Sequence, residues 1–219
     1  MISRLSKLPA ELALLISLFF TALGIDLLAM SDLGISPLLS PAYVLSEITP
    51  LSYGFCSTVF QIMLLSSICI VSKKLRLDYA FSFMWGIVFG VFLDFWEFVL
   101  PPLPQILAVR LLIWIFGIFI LAVFLSVAMA TKLPMMPCDS FTRDMSELLG
   151  IPFKRFRTGC DLTCVTVAAL ISFIFGGRLI GLGIGTLFFA LSFGSIAAYF
   201  KVRAEKHLKF KPLFMPTKN

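Results

Sequence analysis

At 219 residues, with 59% hydrophobic and only 14% charged residues and a mean hydropathy of +1.01, the chain lies far from soluble globular composition, in which about a quarter of residues are charged. The composition places it in a bilayer and leaves room for loops and a short tail, not for a soluble catalytic domain. One histidine (His207), five cysteines without a CxxC pair and a net charge of +6 argue against a histidine metal site or a Ser/His/Asp triad, so no metal, cofactor or enzymatic activity is expected.

Six apolar stretches approach the length needed to cross about 30 Å of hydrocarbon. They cover residues 12–30, 55–71, 79–99, 106–130, 160–175 and 179–200. The expected architecture is an all-α, polytopic helix bundle over residues 1–200 with a basic tail over 201–219. Arg4 and Lys7 precede the first stretch as in a secretory signal, but no small-x-small cleavage site follows and five more spans do. It reads as a retained helix. Its main oddity is Asp26, a carboxylate past the middle of the span, which must face the interior, find a partner, carry a proton or reach for the interface.

The connection 31–52 is long enough for a short helix. Ser40 suits an N-cap with Pro41 in the first helical position, Ala42, Leu45 and Ile48 make an apolar face, and Pro50 stops it. The third span carries Gly86 and Gly90 at small-xxx-small spacing. Glu97 near its end and Arg110 at the start of the fourth are expected to pair across a short turn.

The connection 131–157 repeats the plan. Asp139 or Ser140 caps a helix with Phe141, Met145, Leu148 and Leu149 as its apolar stripe, ended by Gly150 and Pro152. Arg157 and Asp161 then stand at i,i+4 spacing, and Asp139 can reach them. The pair either caps the fifth helix at the interface or binds and gates. In the sixth span, Gly177, Gly181 and Gly185 are expected to form a helix-packing stripe matching Gly86 and Gly90. The run 181–186 lacks the lysine of a phosphate loop.

With the amino terminus in the cytoplasm, all of the eighteen Lys and Arg residues except Arg110 and Arg178 fall on the cytoplasmic side. Both termini are therefore expected there. The basic tail reads as an anchor to the anionic inner leaflet and not as a nucleic-acid surface.

An offset of one hundred residues aligns Leu33 with Leu133, Pro37 with Pro137, Ser40 with Ser140, Ser46 with Ser146, Glu47 with Glu147 and Thr58 with Thr158. The chain thus reads as two repeats, about 10–100 and 106–200. Three spans per repeat invert the second relative to the first, an arrangement common in secondary transporters. The two short helices then either lie flat on opposite membrane surfaces or dip inward. Dipping inward, their positive amino-terminal ends would face a shared cavity and favour an anionic group.

The motifs of the second half are Met136-Pro137-Cys138-Asp139, Arg157-Thr158 with Asp161, and Gly176-Gly177 through Gly183-Ile184-Gly185-Thr186. The first half carries Leu33-Gly34-Ile35-Ser36-Pro37. Together they resemble the YczE/YyaS/YitT group of small bacterial membrane proteins. Cys138 stands where that group has an arginine and Leu38 where it has a tryptophan. The resemblance implies an integral protein of the bacterial plasma membrane and no particular substrate.

The leading expectation is a small transporter or exporter of an unidentified solute, bound or gated by Asp26, Pro37, Ser40, Pro137, Asp139, Arg157, Thr158 and Asp161. The competing one is a non-transporting assembly or regulatory factor, or a substrate-capture subunit, docking a protein partner or a second copy through 131–157 and the tail.

Overall fold

A computed structural model describes residues 9–72, 77–101, 104, 106–208 and 210. The topogenic residues Arg4, Lys7, Lys73, Lys74, Arg76, Lys209, Lys211 and Lys218, and most of the tail, lie outside them. The described chain is all-helical: α1 (Ala10–Ser31), a 3-10 turn (Pro37–Leu39), α2 (Ser40–Ile48), α3 (Tyr53–Ser72), α4 (Leu77–Val99), α5 (Leu107–Ala130), α6 (Pro137–Leu148), α7 (Phe153–Gly176) and α8 (Ile184–His207). Helices α1, α3, α4, α5 and α7 are long and apolar enough to cross a membrane. The expected sixth span corresponds to α8, whose apolar run among the described residues is Ile184–Gly194. The first turns of the expected tail continue α8 as far as His207.

Helices α1 and α5 form the centre of the bundle. They approach most closely at Gly24 and Gly117, where a Cβ on either glycine would stand 3.0 Å from the other's carbonyl oxygen. Small residues permit this approach, which matters because water drives no apolar association between helices inside lipid. Leu14, Leu18, Leu28, Leu121, Phe89 and Leu93 fill the surrounding core.

The helix ends recur at the offset of one hundred. Ser31 Oγ donates to the Leu28 carbonyl at 2.7 Å and accepts from Leu33 N at 3.3 Å, while Asp32 takes a left-handed φ of 51°. Thr131 Oγ1 donates to the Ala128 carbonyl at 2.7 Å and accepts from Leu133 N at 3.4 Å, with Lys132 at φ 57°. Each end then leads to a proline that opens a short turn, Pro37 or Pro137. Helix α2 packs on α7, and α6 packs on α3, so each short helix rests on the second long helix of the other half.

Several local expectations are corrected. Ser40 is not a cap, because the turn at Pro37–Leu39 runs on into α2 and the Ser40 hydroxyl donates back to the Pro37 carbonyl at 2.6 Å. Neither Asp139 nor Ser140 caps α6. Pro137, with no N–H to satisfy, begins the helix, and the two side chains are spent on tertiary contacts. The apolar stripe of α6 is turned outward at Leu148 and Leu149, while Asp139, Thr142, Asp144 and Ser146 are buried. That inversion suits a bundle whose exterior is apolar.

The glycine stripe of the sixth span is also broken. Gly177 ends α7 at φ +65°, Gly181 lies in the following loop at φ +65°, and only Gly185 is helical. Gly86 and Gly90 do serve close packing, against the Pro137 ring and against Gly54 with Thr58 respectively. Arg110 binds the end of α1, with Nε donating to the Ser31 carbonyl at 2.6 Å and Nη2 to Asp32 at 2.9 Å, in place of the expected pairing with Glu97. A guanidinium there meets orphan carbonyls and the negative end of the helix dipole.

Candidate functional site

The 3-10 turn that leads into α2 and the first turn of α6 line one space inside the bundle. Ser36, Leu38 and Leu39 from the first half, and Met136, Cys138 and Asp139 from the second, line one cavity of about 40 Å³ together with Thr21, Gln61 and Arg157. It has room for about two or three waters. The short helices enter the bundle amino end first: Pro37, Ser40, Pro137 and Ser140 are buried, while Leu45 and Leu148 at the far ends are exposed.

At the floor of this cavity Arg157 Nη1 donates to Asp139 Oδ1 at 2.9 Å. Arg157 Nε lies 3.5 Å from Asp161 Oδ1, an ion pair without hydrogen-bond geometry, so that buried oxygen has no hydrogen-bond partner. The convergence of three ionisable groups expected from the spacing is present. One cation faces two carboxylates, and the group carries one surplus negative charge.

Position Gln61 in the first half matches Asp161, and Ser57 matches Arg157. The image of the ion pair is a neutral bond, Gln61 Nε2 donating to Ser57 Oγ at 3.2 Å, and Gln61 Oε1 is likewise buried without a partner. Of the two equivalent positions, one holds an acceptor oxygen with no partner, Gln61 Oε1, and the other an oxygen held only by a long ion pair, Asp161 Oδ1. Such groups cost free energy and are few in native proteins.

On the other side of the Asp139–Arg157 pair lies a vestibule of about 1450 Å³ between α7 and α8, lined by Lys132, Glu147, Lys154, Thr158, Asp161 and Ala190 among others. Asp139 and Arg157 line both spaces, so their ion pair is part of the wall between cavity and vestibule. The Cys138 thiol faces the cavity, and burial, with Asp139 adding to it, pushes its pKa well above the ordinary value.

The opposite end of the bundle is shut by backbone contacts. Ile35 N donates to the Gly181 carbonyl at 3.2 Å and to Thr186 Oγ1 at 3.1 Å, Gly185 N to the Leu33 carbonyl at 3.1 Å, and Trp114 Nε1 to the Gly34 carbonyl at 2.9 Å. Gly34 adopts φ +152°, and a Cβ there would collide with Thr186. The glycines of 181–185 thus serve a loop-to-loop seal.

Residues 9–202 match DUF6198, described as a family of unknown function. The chain belongs to this family. No curated protein and no solved structure matches it. In this DUF6198 member the expected site residues separate into groups. Asp139, Arg157, Thr158 and Asp161 come together, and Pro37 and Pro137 aim the two short helices at them. Ser40 is buried behind the turn. Asp26 lines neither space. It is 3% exposed, its Oδ2 has no hydrogen-bond partner, and the charges acting on it are Glu97 and Asp94. Ser126, one hundred positions on, bonds instead to the Ala122 and Ala197 carbonyls.

Sequence reasoning missed Gln61, which an offset of one hundred from Asp161 would have found. It also missed Asp94, whose Oδ1 accepts from Gly54 N at 2.7 Å and whose Oδ2 accepts from Ser52 Oγ at 3.0 Å. No local pattern ties Asp94 to the start of a helix forty residues earlier.

Proposed function

We propose that this protein is a small membrane transporter of six spans, built as two inverted three-span repeats around the cavity between α2 and α6. The observation that carries the reading is that the turn leading into α2 and the first turn of α6, one from each half, line a single cavity beside a buried ion pair, with a wide vestibule on that pair's other side. Irregular backbone at membrane depth is tolerated where it lines such a space, and sites at a repeat interface near the midplane are characteristic of secondary transporters. The charge distribution supports cytoplasmic termini, and the likeness to the YczE/YyaS/YitT group supports a bacterial plasma membrane.

Gln61 Oε1, which has no partner, and Asp161 Oδ1, which is held only by a long ion pair, can accept hydrogen bonds, and the Arg157 group carries surplus negative charge. Both favour a solute that presents N–H or O–H donors over the simple anion that the helix dipoles alone would suggest. Purified protein in liposomes, given a mixture of small amines, amino acids and polyols, should accumulate at least one of them, as read by mass spectrometry of the lumen. Asp161→Asn and Arg157→Ala should abolish that uptake. Uptake unaltered by both substitutions would remove the assignment of the site.

A further inference from the structure

Helices α3 and α4 pack closely, whereas their counterparts α7 and α8 stand apart around the vestibule. The residues that make the first interface are specific. Gly54 and Gly90 are so near that a Cβ on Gly54 would collide with the Gly90 carbonyl, a Cβ on Gly90 would collide with Thr58, and Asp94 holds Gly54 N. Their counterparts at the offset of one hundred are Lys154, Thr158, Ala190 and Gly194. All four line the vestibule.

We propose that the sealed seam between α3 and α4 is a second solute portal, closed in this structure, which opens at the opposite end of the molecule when the vestibule between α7 and α8 closes. Two halves with the same plan can exchange roles. The open cleft of one half is then the image of the closed seam of the other, and the exchanged state converts each into its counterpart. The central cavity, lined by the turn leading into α2 and the first turn of α6, would lie behind whichever seam is open.

The halves differ in one respect that makes Asp94 the latch. Its carboxylate ties Ser52 and Gly54 to α4 with two hydrogen bonds, whereas Gly194 and Pro152 at the equivalent positions offer neither the acceptor nor the hydroxyl. The seam of the first half therefore carries a restraint that its image in the second half lacks. Removing it should populate the exchanged state.

The inference rests on the transporter reading, but its test is separate. Lys154→Cys is combined with Ala190→Cys, the protein in native membranes is treated with a short bifunctional methanethiosulfonate, and the link between these two positions is identified by peptide mass spectrometry. The native cysteines can therefore stay. With Asp94 intact the link should form slowly. With Asp94→Ala, which removes two hydrogen bonds to a charged acceptor, it should form on the order of tenfold faster or more. Gly90→Leu, which wedges the first seam by bulk instead of charge, should do the same. Ser82→Cys with Ser140→Cys, whose hydroxyls lie 3.1 Å apart, shows that the reagent reaches the bundle. Acceleration by both variants, even in a protein that moves no solute, supports the second portal. No acceleration by either, with the control link present, overturns it even if transport is found.

Discussion

Helices α2 and α6 stand at the same offset in the chain, are introduced by Pro37 and Pro137 and pack on corresponding long helices, yet of the two only α6 contributes side chains to the ion pairs described. The position of Asp139 is Leu39 in the first half, that of Arg157 is Ser57 and that of Asp161 is Gln61. In the second half these residues make a buried ion pair; in the first half they make one neutral hydrogen bond and apolar packing. Two segments of similar backbone plan thus bound one cavity. Its chemistry can be placed on one wall alone, and a single charged wall spares the bundle a second costly set of buried charges.

The largest effect should come from breaking that wall. Arg157→Met leaves Asp139 and Asp161 buried and unpaired, and should lower stability by about 3–5 kcal/mol. Thermal unfolding in detergent reads this, and adding Asp139→Asn with Asp161→Asn should restore most of the loss. Ser57→Ala, the matching change in the neutral half, should cost only about 1 kcal/mol, because one ordinary hydrogen bond is lost.

The next effect concerns the two seams. Gly54→Ala forces a methyl group into the Gly90 carbonyl and should destabilise by about 1–3 kcal/mol. Lys154→Ala at the equivalent vestibule position should change stability by no more than about 0.5 kcal/mol. Equal effects would remove the distinction between a closed and an open interface.

The smallest contrast is between two tyrosines. The Tyr79 hydroxyl donates to Asp144 Oδ2 at 3.1 Å, so Tyr79→Phe should cost about 1 kcal/mol. The Tyr53 hydroxyl is buried without a hydrogen-bond partner, so Tyr53→Phe should be neutral or slightly stabilising. Paired melting curves in the same detergent compare them directly.

Much of this was legible in the sequence, for identifiable reasons. The long helices follow from runs of apolar residues, and the short ones from start signals at Ser40–Pro41 and Asp139–Ser140 with stops at Pro50 and Gly150, although the structure opens these segments earlier, at Pro37 and Pro137. The Asp139–Arg157–Asp161 group was readable because one contact is helical spacing and the other needs only a nearby loop. What failed were assignments in which a side chain had a tertiary alternative. Asp139 and Ser140 are good caps in isolation but found partners in Arg157 and Ser82, whereas Ser40 follows a turn that already runs into α2 and bonds back to the Pro37 carbonyl. Gly177, Gly181 and Gly185 have helical spacing, yet their segment leaves the helix to seal against Leu33–Ile35. Hydropathy misled in part at α6, where Phe141 and Met145 pack on Leu65, Ile68 and Tyr79 but Leu148 and Leu149 look outward and Asp139, Thr142, Asp144 and Ser146 inward. Asp94 and Arg110 join helix ends far away in sequence, and no local pattern encodes such contacts.

The central claim is that the space between α2 and α6 connects to each face of the membrane in turn. The native Cys138 thiol reports on it, being buried at that cavity and slowed by its raised pKa. Right-side-out and inverted vesicles would each be treated with a small membrane-impermeant methanethiosulfonate, and modification of Cys138 followed by peptide mass spectrometry. The account predicts slow modification from both faces, faster from the vestibule side. Modification from one face alone, however long the exposure, would contradict it.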